Sequence, residues 1–267
     1  MNNDLVVTKI ENSIAEVYLN RAEKHNSLTL EMFSAIADAG QSLQEDGSVR
    51  AAILYGAGTS FCAGLDFSLM RKILEQGTSA DAVIEALIGK SGQNENLAQR
   101  VAMIWQQVDF PVIAAIDGAA FGGGFQIAMG CDFRIASPNA KFSIMELHYG
   151  LVPDMGITKT LPGILRKDQA LELALTARQF DAREALQLGV VTKIEKDYLW
   201  KARELAAEIS ARSPDAVRGC KKLFNTAWKS SQDDSLELEA LTQGQLLGSP
   251  NQREAVLAAM EKRSARF

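Results

Sequence analysis

The sequence is poor in the features that mark membrane, secreted and metal-dependent proteins. No apolar run comes near the ~20 residues that a transmembrane helix needs, and the first residues form neither the basic nor the apolar part of a secretory signal. Three cysteines, Cys62, Cys131 and Cys220, and two histidines show no spacing typical of a metal site or a disulfide. These absences predict reduced thiols, a cytoplasmic location and no membrane partner.

Net charge and composition indicate which classes of molecule the protein binds and what kind of fold it has. Lys and Arg number 28 against 33 Asp and Glu, which gives a net charge of −5. A net acidic protein repels nucleic acid on average, so we predict no nucleic-acid partner. Apolar residues make up 47% and charged residues 23% of the chain. These proportions are typical of a globular fold, and the length is enough to bury a substantial core.

Two segments combine the pattern of a buried strand with glycines. Residues 111–116 are apolar, break at Asp117, and lead through three consecutive glycines at 122–124 into a helical pattern. Residues 50–55 are followed by a glycine-containing turn and then by residues 60–66. Glycines let a ligand approach the main chain, and a helix that begins there directs unpaired N–H groups at it. The arrangement suits an oxygen that gains negative charge, such as the carbonyl of an enolising thioester.

At these positions the chain resembles the crotonase family, also called the enoyl-CoA hydratase/isomerase superfamily. Its motifs follow in the expected order along nearly the whole chain: residues 19–28 (LNRAEKHNSL) for the N-terminal signature, 61–66 (FCAGLD) and 122–124 for the two oxyanion loops, then 146–156, 176–178 and 261–263. One such motif arises by chance, but the ordered set does not.

The resemblance implies an α/β fold, namely a crotonase-type spiral of repeated ββα units with a C-terminal helical region. We expect residues 1–200 to form the core with an acyl-CoA site, and residues 201–267 to form a helical region for trimerisation or capping. The implied partners are an acyl-CoA substrate and further copies of the chain in a homotrimer or hexamer. No metal or redox cofactor is implied, because coenzyme A enters as part of the substrate.

The coarse pattern of the chain agrees with such units. Residues 5–10 and 14–19 predict a hairpin, and Thr29 predicts the N-cap of a helix. Residues 76–96, polar and containing Gly and Ser, predict a flap over the site. Further elements are predicted as strands at 50–55, 111–116, 131–136 and 141–143, and as helices at 97–108, 215–229 and 234–247.

The resemblance also implies which residues meet the substrate. The backbone N–H groups of Leu65 and Gly123 form the oxyanion hole. The carbonyls of Ala63 and Leu65 contact the adenine end of coenzyme A, and Asp66 belongs to the same CoA-binding segment. Lys24 is a candidate partner for a CoA phosphate, although its sequence context fits an ordinary solvated lysine equally well.

The proton-handling residues depart from the hydratase pattern. A typical hydratase of the family holds a water between two glutamates, and those positions fall on Gln126 and Glu146. A glutamine does not accept a proton at neutral pH. Dienoyl-CoA isomerases of the family carry a Glu and an Asp with the eight-residue spacing of Glu146 and Asp154, although they have an aspartate at the position of Gln126. Burial in an apolar pocket would raise the pKa of both carboxyls toward the working pH.

Three functions therefore stay open. The first is an isomerase of unsaturated acyl-CoA with Glu146 and Asp154 as the catalytic proton pair. The second is an enoyl-CoA hydratase that works with Glu146 and a water positioned by Gln126. The third is a non-catalytic crotonase-fold protein that binds acyl-CoA or RNA. Asp154 also fits a turn residue after Pro153, and His148 fits a surface or pocket-rim histidine better than a base.

Overall fold

A six-stranded sheet, with helices packed on both faces, forms the centre of the fold, and a three-stranded sheet lies beside it. The computed structural model describes residues 4–76, 81–89, 95–228 and 230–267. The strands are β1 Val6–Glu11, β2 Ile14–Leu19, β3 Ala51–Gly56, β4 Val112–Ile116, β5 Ala119–Phe121, β6 Phe133–Ala136, β7 Lys141–Ser143, β8 Phe180–Asp181 and β9 Lys193–Ile194.

The helices occupy the connections and the C-terminal region. They are α1 Leu30–Glu45, α2 Phe67–Gln76, α3 Asp81–Ile88, α4 Leu97–Gln107, α5 Gly123–Gly130, α6 Ile157–Thr160, α7 Lys167–Thr176, α8 Ala182–Gln187, α9 Tyr198–Ser210, α10 Pro214–Ala227, α11 Gln232–Leu246 and α12 Pro250–Glu261. Two short 3-10 helices, Ala22–Lys24 and Glu146–Tyr149, precede α1 and α6.

Strand order and direction confirm the predicted α/β class. The large sheet has the order β1-β2-β3-β4-β6-β9, in which β1 and β2 are antiparallel and every later pair is parallel. In the small sheet β5 pairs parallel with β7, and β7 pairs antiparallel with β8. The chain repeats a strand–strand–helix unit, as in β1-β2-α1 and β4-β5-α5.

The central strand β3 is buried on both faces, as its continuous apolar sequence predicts. Ala52 and Leu54 belong to the main core, which includes residues of α1, α4 and α5. Ala51 and Ile53 point to the opposite face, where they form a second cluster with two alanines of α9. Because side chains alternate along a strand, one sheet separates the two layers of helices.

The two sharpest local predictions are confirmed. β1 and β2 form the predicted hairpin, joined by Asn12 and Ser13 with φ values of 51° and 63°. Two consecutive residues with positive φ make a turn whose twist matches that of the strands. Thr29 caps α1, since its side chain accepts a hydrogen bond from the N–H of Met32 at 3.3 Å.

Other features differ from the sequence pattern. Between residue 118 and the three glycines the chain forms β5, a short strand that the pattern did not predict. The predicted flap at 76–96 contains α3, whereas 77–80 and 90–94 lie outside the described residues. The predicted division at residues 200 and 201 falls inside α9, and the division itself stays a prediction.

A buried ion pair ties the C-terminal helices to the core. The ammonium of Lys221 on α10 donates to Asp132 at 2.8 Å and to the carbonyls of Trp105 and Phe110 at 3.0 and 2.8 Å. The N–H of Val112 donates to the same carboxylate oxygen at 2.7 Å. Buried charges of this kind are tolerated when they are paired and hydrogen-bonded. Within the described residues no helix is both long and apolar enough to cross a membrane.

Candidate active site

The two predicted oxyanion loops lie side by side. The N–H of Phe121 donates to the carbonyl of Cys62 at 3.0 Å, which joins the end of β5 to the loop after β3. A side-chain carbon at Gly64 would lie only 3.6 Å from the nitrogen of Gly123. Among the described residues, neither the N–H of Leu65 nor that of Gly123 has a hydrogen-bond acceptor. The loops therefore meet with two free donors, whose oxyanion role stays a prediction.

The three glycines are required because other chain segments approach them closely. Gly122 has a φ of 51°, in the region that favours glycine. A side-chain carbon at Gly124 would lie 2.2 Å from the carbonyl oxygen of Cys62. At Gly123 it would lie 2.8 Å from the sulfur of Met155. At Gly124 the start of α5 thus packs against the backbone of the other loop with no room for a methyl group.

Gln126 and Glu146 are in direct contact. Gln126 lies on the first turn of α5 and is 1% exposed. Its Nε2 donates to Oε1 of Glu146 at 2.5 Å, and its Oε1 accepts from the N–H of Met155 at 2.8 Å. A side-chain carbon at Gly122 would lie 3.4 Å from the same Glu146 oxygen. The carboxyl therefore borders the glycine loop that carries Gly123.

The other oxygen of Glu146 has no protein partner. Oε2 is buried and accepts no hydrogen bond within the described residues. Burial raises the pKa of the Glu146 carboxyl above its ordinary value, backbone hydrogen bonds and the amide of Gln126 oppose that rise, and the charge of Asp154 adds to it. A carboxyl with a raised pKa and one free oxygen is suited to taking up and returning a proton.

Asp154 lies in the irregular segment between the 3-10 helix and α6. Its side chain is exposed at the surface, yet enough protein surrounds the carboxyl for desolvation to raise its pKa above the ordinary value. Its effect on the pKa of Glu146 indicates that the two carboxyls share one region of the site. No ion pair holds either carboxylate in the part of the chain that the structure describes.

Apolar side chains border this region. The ring of Phe67, at the start of α2, meets the ring of Tyr149 edge to face with centroids 5.9 Å apart. Leu151 and Val152 follow Tyr149 and are exposed. Exposed large apolar residues beside a polar site are typical of a surface that binds an apolar ligand.

The enoyl-CoA hydratase/isomerase family model matches residues 9–267. The chain belongs to the enoyl-CoA hydratase/isomerase family. The peroxisomal Delta(3,5)-Delta(2,4)-dienoyl-CoA isomerase of Arabidopsis thaliana is 34% identical over 273 residues, covering 99% of this chain and 96% of that protein. The crotonyl-CoA hydratase of Syntrophomonas wolfei is 32% identical over 265 residues, covering 98% and 97%.

A solved structure agrees with this membership. The enoyl-CoA hydratase from Bacillus anthracis superposes with a TM-score of 0.88 at 28% identity, and the match covers 98% of each chain. The chain is therefore an acyl-CoA enzyme with the crotonase fold. Isomerases and hydratases are similar to it at comparable identity, so the family does not decide between the two reactions.

The predicted CoA-binding residues of this family member differ in their surroundings. Lys24 is exposed at the end of its 3-10 helix, and the N–H of Ala63 donates to the carbonyl of His25 at 3.0 Å. The carboxylate of Asp66 is already hydrogen-bonded, because it pairs with Arg21 and accepts from Ser27 Oγ at 2.7 Å. Burial acts against ionisation of Asp66, but hydrogen bonds from Ser68, Arg21 and Ser27 hold its pKa well below its usual range.

His148 is exposed, as expected for a surface or pocket-rim histidine, and the three cysteines differ in burial. Cys62 and Cys131 are buried, and burial raises the pKa of each to about 12, which makes them inert at neutral pH. Cys220 is exposed. His148 is also exposed and contacts only the edge of Tyr149 among the described rings, at 5.0 Å between centroids.

A large apolar cavity of this acyl-CoA enzyme lies away from the carboxyls. Its volume is about 890 Å³, and it opens between the end of α5 and α10, with Phe224 and Trp228 on its rim. It contains none of the residues that the sequence predicts for the site. The candidate site stays at the glycine loops, where free N–H donors lie beside carboxyls without a cationic partner, whereas the charged groups of the cavity include the paired Lys221 and Asp132.

Sequence reasoning missed the parts of the site that depend on the backbone. The N–H of Met155 orients Gln126, and nothing in the sequence indicates this contact except that Met155 follows Asp154. The contact of Phe67 with Tyr149 joins residues 82 positions apart, and only the fold brings them together. Both residues lie within three positions of a predicted site residue, which is the signal that was available.

Proposed function

We propose that the chain is an isomerase of unsaturated acyl-CoA thioesters, in which Glu146 and Asp154 move a proton along the acyl chain. The observation that supports it is that the carboxyls of Glu146 and Asp154 have no cationic partner among the described residues. Desolvation raises the pKa of both, and neither is neutralised by a cation in the described chain. Two carboxyls of this kind can act as a base and an acid in one proton transfer.

The proposed reaction converts a 3,5-dienoyl thioester to a 2,4-dienoyl thioester. The Glu146 carboxylate takes a proton from C2, and the electron pair spreads over the double bonds and onto the thioester oxygen. The N–H groups of Leu65 and Gly123 stabilise that negative oxygen. The Asp154 carboxyl, in its acid form, delivers a proton to C6, which restores the neutral thioester. Glu146 serves the carbon nearer the thioester because its carboxyl borders the glycine loop.

Apolar side chains border the site, and they favour a substrate that carries a hydrocarbon chain at the end remote from the thioester. Phe67, Tyr149, Leu151 and Val152 all expose apolar surface near the carboxyl pair. Covering such surface with methylenes is favourable by about 0.8 kcal/mol per buried CH₂. We therefore expect fatty acyl-CoA thioesters to be better substrates than short polar ones.

Substitution of Asp154 by Asn tests the isomerase. We expect wild-type protein to convert 3,5-dienoyl-CoA with a rise in long-wavelength ultraviolet absorbance, because the product is conjugated with the thioester. The variant should lose about 10²-fold or more of kcat, since an amide does not donate the proton that C6 requires. Asp38→Asn, on the exposed side of α1, is the matched control and should keep wild-type activity.

A hydratase is the second candidate. It is favoured by Oε2 of Glu146, which has no protein partner among the described residues and can accept a hydrogen bond from a water. The same assay separates the two reactions, because hydration of 2-trans-enoyl-CoA removes enoyl-thioester absorbance. The isomerase would be contradicted if the protein hydrated the enoyl substrate but did not convert the dienoyl substrate. The hydration rate would then be the same in Asp154→Asn as in wild type.

We also propose that the C-terminal helices join copies of the chain into a homotrimer or hexamer. All residues of α10, α11 and α12 are described, yet only Lys221, Thr242 and Ala258 are buried there. Large apolar side chains are exposed instead, among them Phe224 and Trp228, the latter 75% exposed. Apolar patches of this extent are typical of protein interfaces.

Light scattering after size-exclusion chromatography checks this assembly. We expect wild-type protein to elute at three or six times the chain mass of 29.0 kDa. Trp228→Glu places a charge in the apolar patch and should shift the protein toward monomer. Glu237→Gln, on the exposed part of α11, should not. A wild-type protein that is monomeric at micromolar concentration would exclude the proposal.

A further inference from the structure

The orientation of the Gln126 side chain is fixed by a partner that can only donate. The backbone N–H of Met155 offers no acceptor, so the atom it contacts at 2.8 Å must be the amide oxygen of Gln126. The amide nitrogen must then face Glu146, to which it donates at 2.5 Å. The reverse orientation would set the Gln126 NH₂ against the N–H of Met155, and both are donors.

This orientation makes the two oxygens of Glu146 unequal. Oε1 accepts the amide hydrogen of Gln126, so a proton on Oε1 would face a donor and is disfavoured. Oε2 is buried and free of protein partners. A proton that Glu146 takes up must therefore reside on Oε2.

The same contact places a neutral amide where water addition needs a second base. A water that attacks a double bond must be held by acceptors while a carboxylate removes its proton. One lone pair of the Gln126 oxygen accepts from Met155, and its nitrogen donates directly to Glu146, so no water lies between the two side chains. Gln126 is a neutral amide and offers such a water no second base.

We propose that Gln126 is a positioning residue that makes Oε2 the single proton-exchanging atom of Glu146 and steers the enzyme from hydration toward proton transfer. The inference rests on the proposed role of Glu146 in proton transfer. It does not depend on which carbon receives the proton. Gln126 itself touches Glu146 and the backbone of Met155 rather than reacting atoms.

Two near-isosteric variants test the proposal. Gln126→Met keeps the length of the side chain and removes the donor. Gln126→Glu keeps an acceptor for Met155 and replaces the donor with a second carboxylate. The titration of Glu146 is followed by carbon-13 NMR of labelled glutamate side chains in the substrate-free protein, with Glu146→Gln to assign the signal. Isomerisation, hydration and exchange of the C2 hydrogens of an acyl-CoA with D₂O are measured on the same samples.

Loss of the donor should raise the Glu146 titration midpoint by about one to two pH units in Gln126→Met, because a hydrogen bond to the carboxylate stabilises its ionised form. The acid limb of kcat/KM should move with it, and KM should change less than kcat. In Gln126→Glu we expect the ratio of hydration to isomerisation to rise at least about tenfold, since a water then has two carboxylates to accept its hydrogens.

The readouts separate this inference from the proposed function. An unchanged Glu146 titration in Gln126→Met overturns the positioning role, and an unchanged reaction ratio in Gln126→Glu overturns the steering role. If Glu146 titrates as expected while Asp154→Asn leaves turnover intact, the isomerase assignment fails and Gln126 keeps its role. Thermal unfolding of both variants shows whether they are folded, and the NMR titration requires only the folded protein.

Discussion

Replacing Glu146 with glutamine is expected to lower kcat by about 10²–10⁴-fold on the acyl-CoA that the enzyme turns over, because general acid–base catalysis contributes that much. The variant keeps the shape of the side chain and its contact with Gln126, since an amide oxygen also accepts a hydrogen bond. KM should change little, because the carboxyl acts on the transferred proton rather than on coenzyme A. Steady-state kinetics, with exchange of the C2 hydrogens as a second readout, measures the loss.

The same variant should be more stable than wild type at neutral pH. The pKa of Glu146 is raised in the folded state, so ionisation of the carboxyl costs folding free energy. That cost is absent below the ordinary carboxyl pKa of about 4 and grows as pH rises from there to the folded-state pKa. The gain in the free energy of unfolding should therefore vanish in acid and reach its full value above that window.

Glu237→Gln is the matched control for both measurements, because Glu237 is exposed on α11. It should change neither kcat nor the dependence of stability on pH. A Glu146→Gln variant with wild-type kcat would remove the carboxyl from the mechanism. A variant less stable than wild type at pH 7 would show that the carboxyl is held by compensating contacts.

The parts of the fold that local chemistry determines were predictable from the sequence. The hairpin β1–β2 follows from alternating residues and a two-residue turn, and the cap at Thr29 follows from a hydroxyl before an apolar helical stripe. By contrast β5 has three residues, and it exists because the loop carrying Cys62 and the strand β7 lie on either side of it. Pairing across the chain, rather than local preference, forms such strands.

The candidate site also has features that the sequence marks and features that depend on the fold. The glycines at 122–124 and the carboxyls of Glu146 and Asp154 are distinctive residue types at distinctive spacings, and the sequence marks them. Asp66 ends the motif at residues 61–66, but its carboxylate joins that loop to the segment before α1 through Arg21 and Ser27. Residue type alone does not tell a side chain that binds a ligand from one that holds the ligand's loop.

Gln126 shows what a spacing argument leaves out. In the sequence Gln126 replaces one glutamate of the two-glutamate hydratase pattern, and the role considered for it is to position a water. In the structure its amide contacts Glu146 directly, and a backbone N–H fixes which way it faces. The departure becomes a functional contact only because Met155, 29 positions later, donates from the other side.

Gly124→Ala is expected to damage both folding and catalysis, because its added carbon would lie 2.2 Å from the carbonyl oxygen of Cys62. The obstacle is backbone, so α5 and the loop after β3 must move apart. Overpacking of this kind costs about 1–3 kcal/mol of unfolding free energy. Separating Gly123 from Leu65 should also disrupt the proposed oxyanion hole, and loss of one such donor lowers kcat by about 10²–10³-fold.

Two further glycines make this prediction specific. Gly244→Ala, in α11 with nothing within 4 Å of the added carbon, should stabilise the protein by about 0.5–1 kcal/mol and leave kcat unchanged. Gly123→Ala meets only the side-chain ends of Leu28 and Met155, which can shift, so its loss of stability should be smaller than that of Gly124→Ala. Thermal unfolding and dienoyl-CoA kinetics on the three variants decide the order. A Gly124→Ala protein as active as Gly244→Ala would mean that the two loops do not need their close approach to form the oxyanion site.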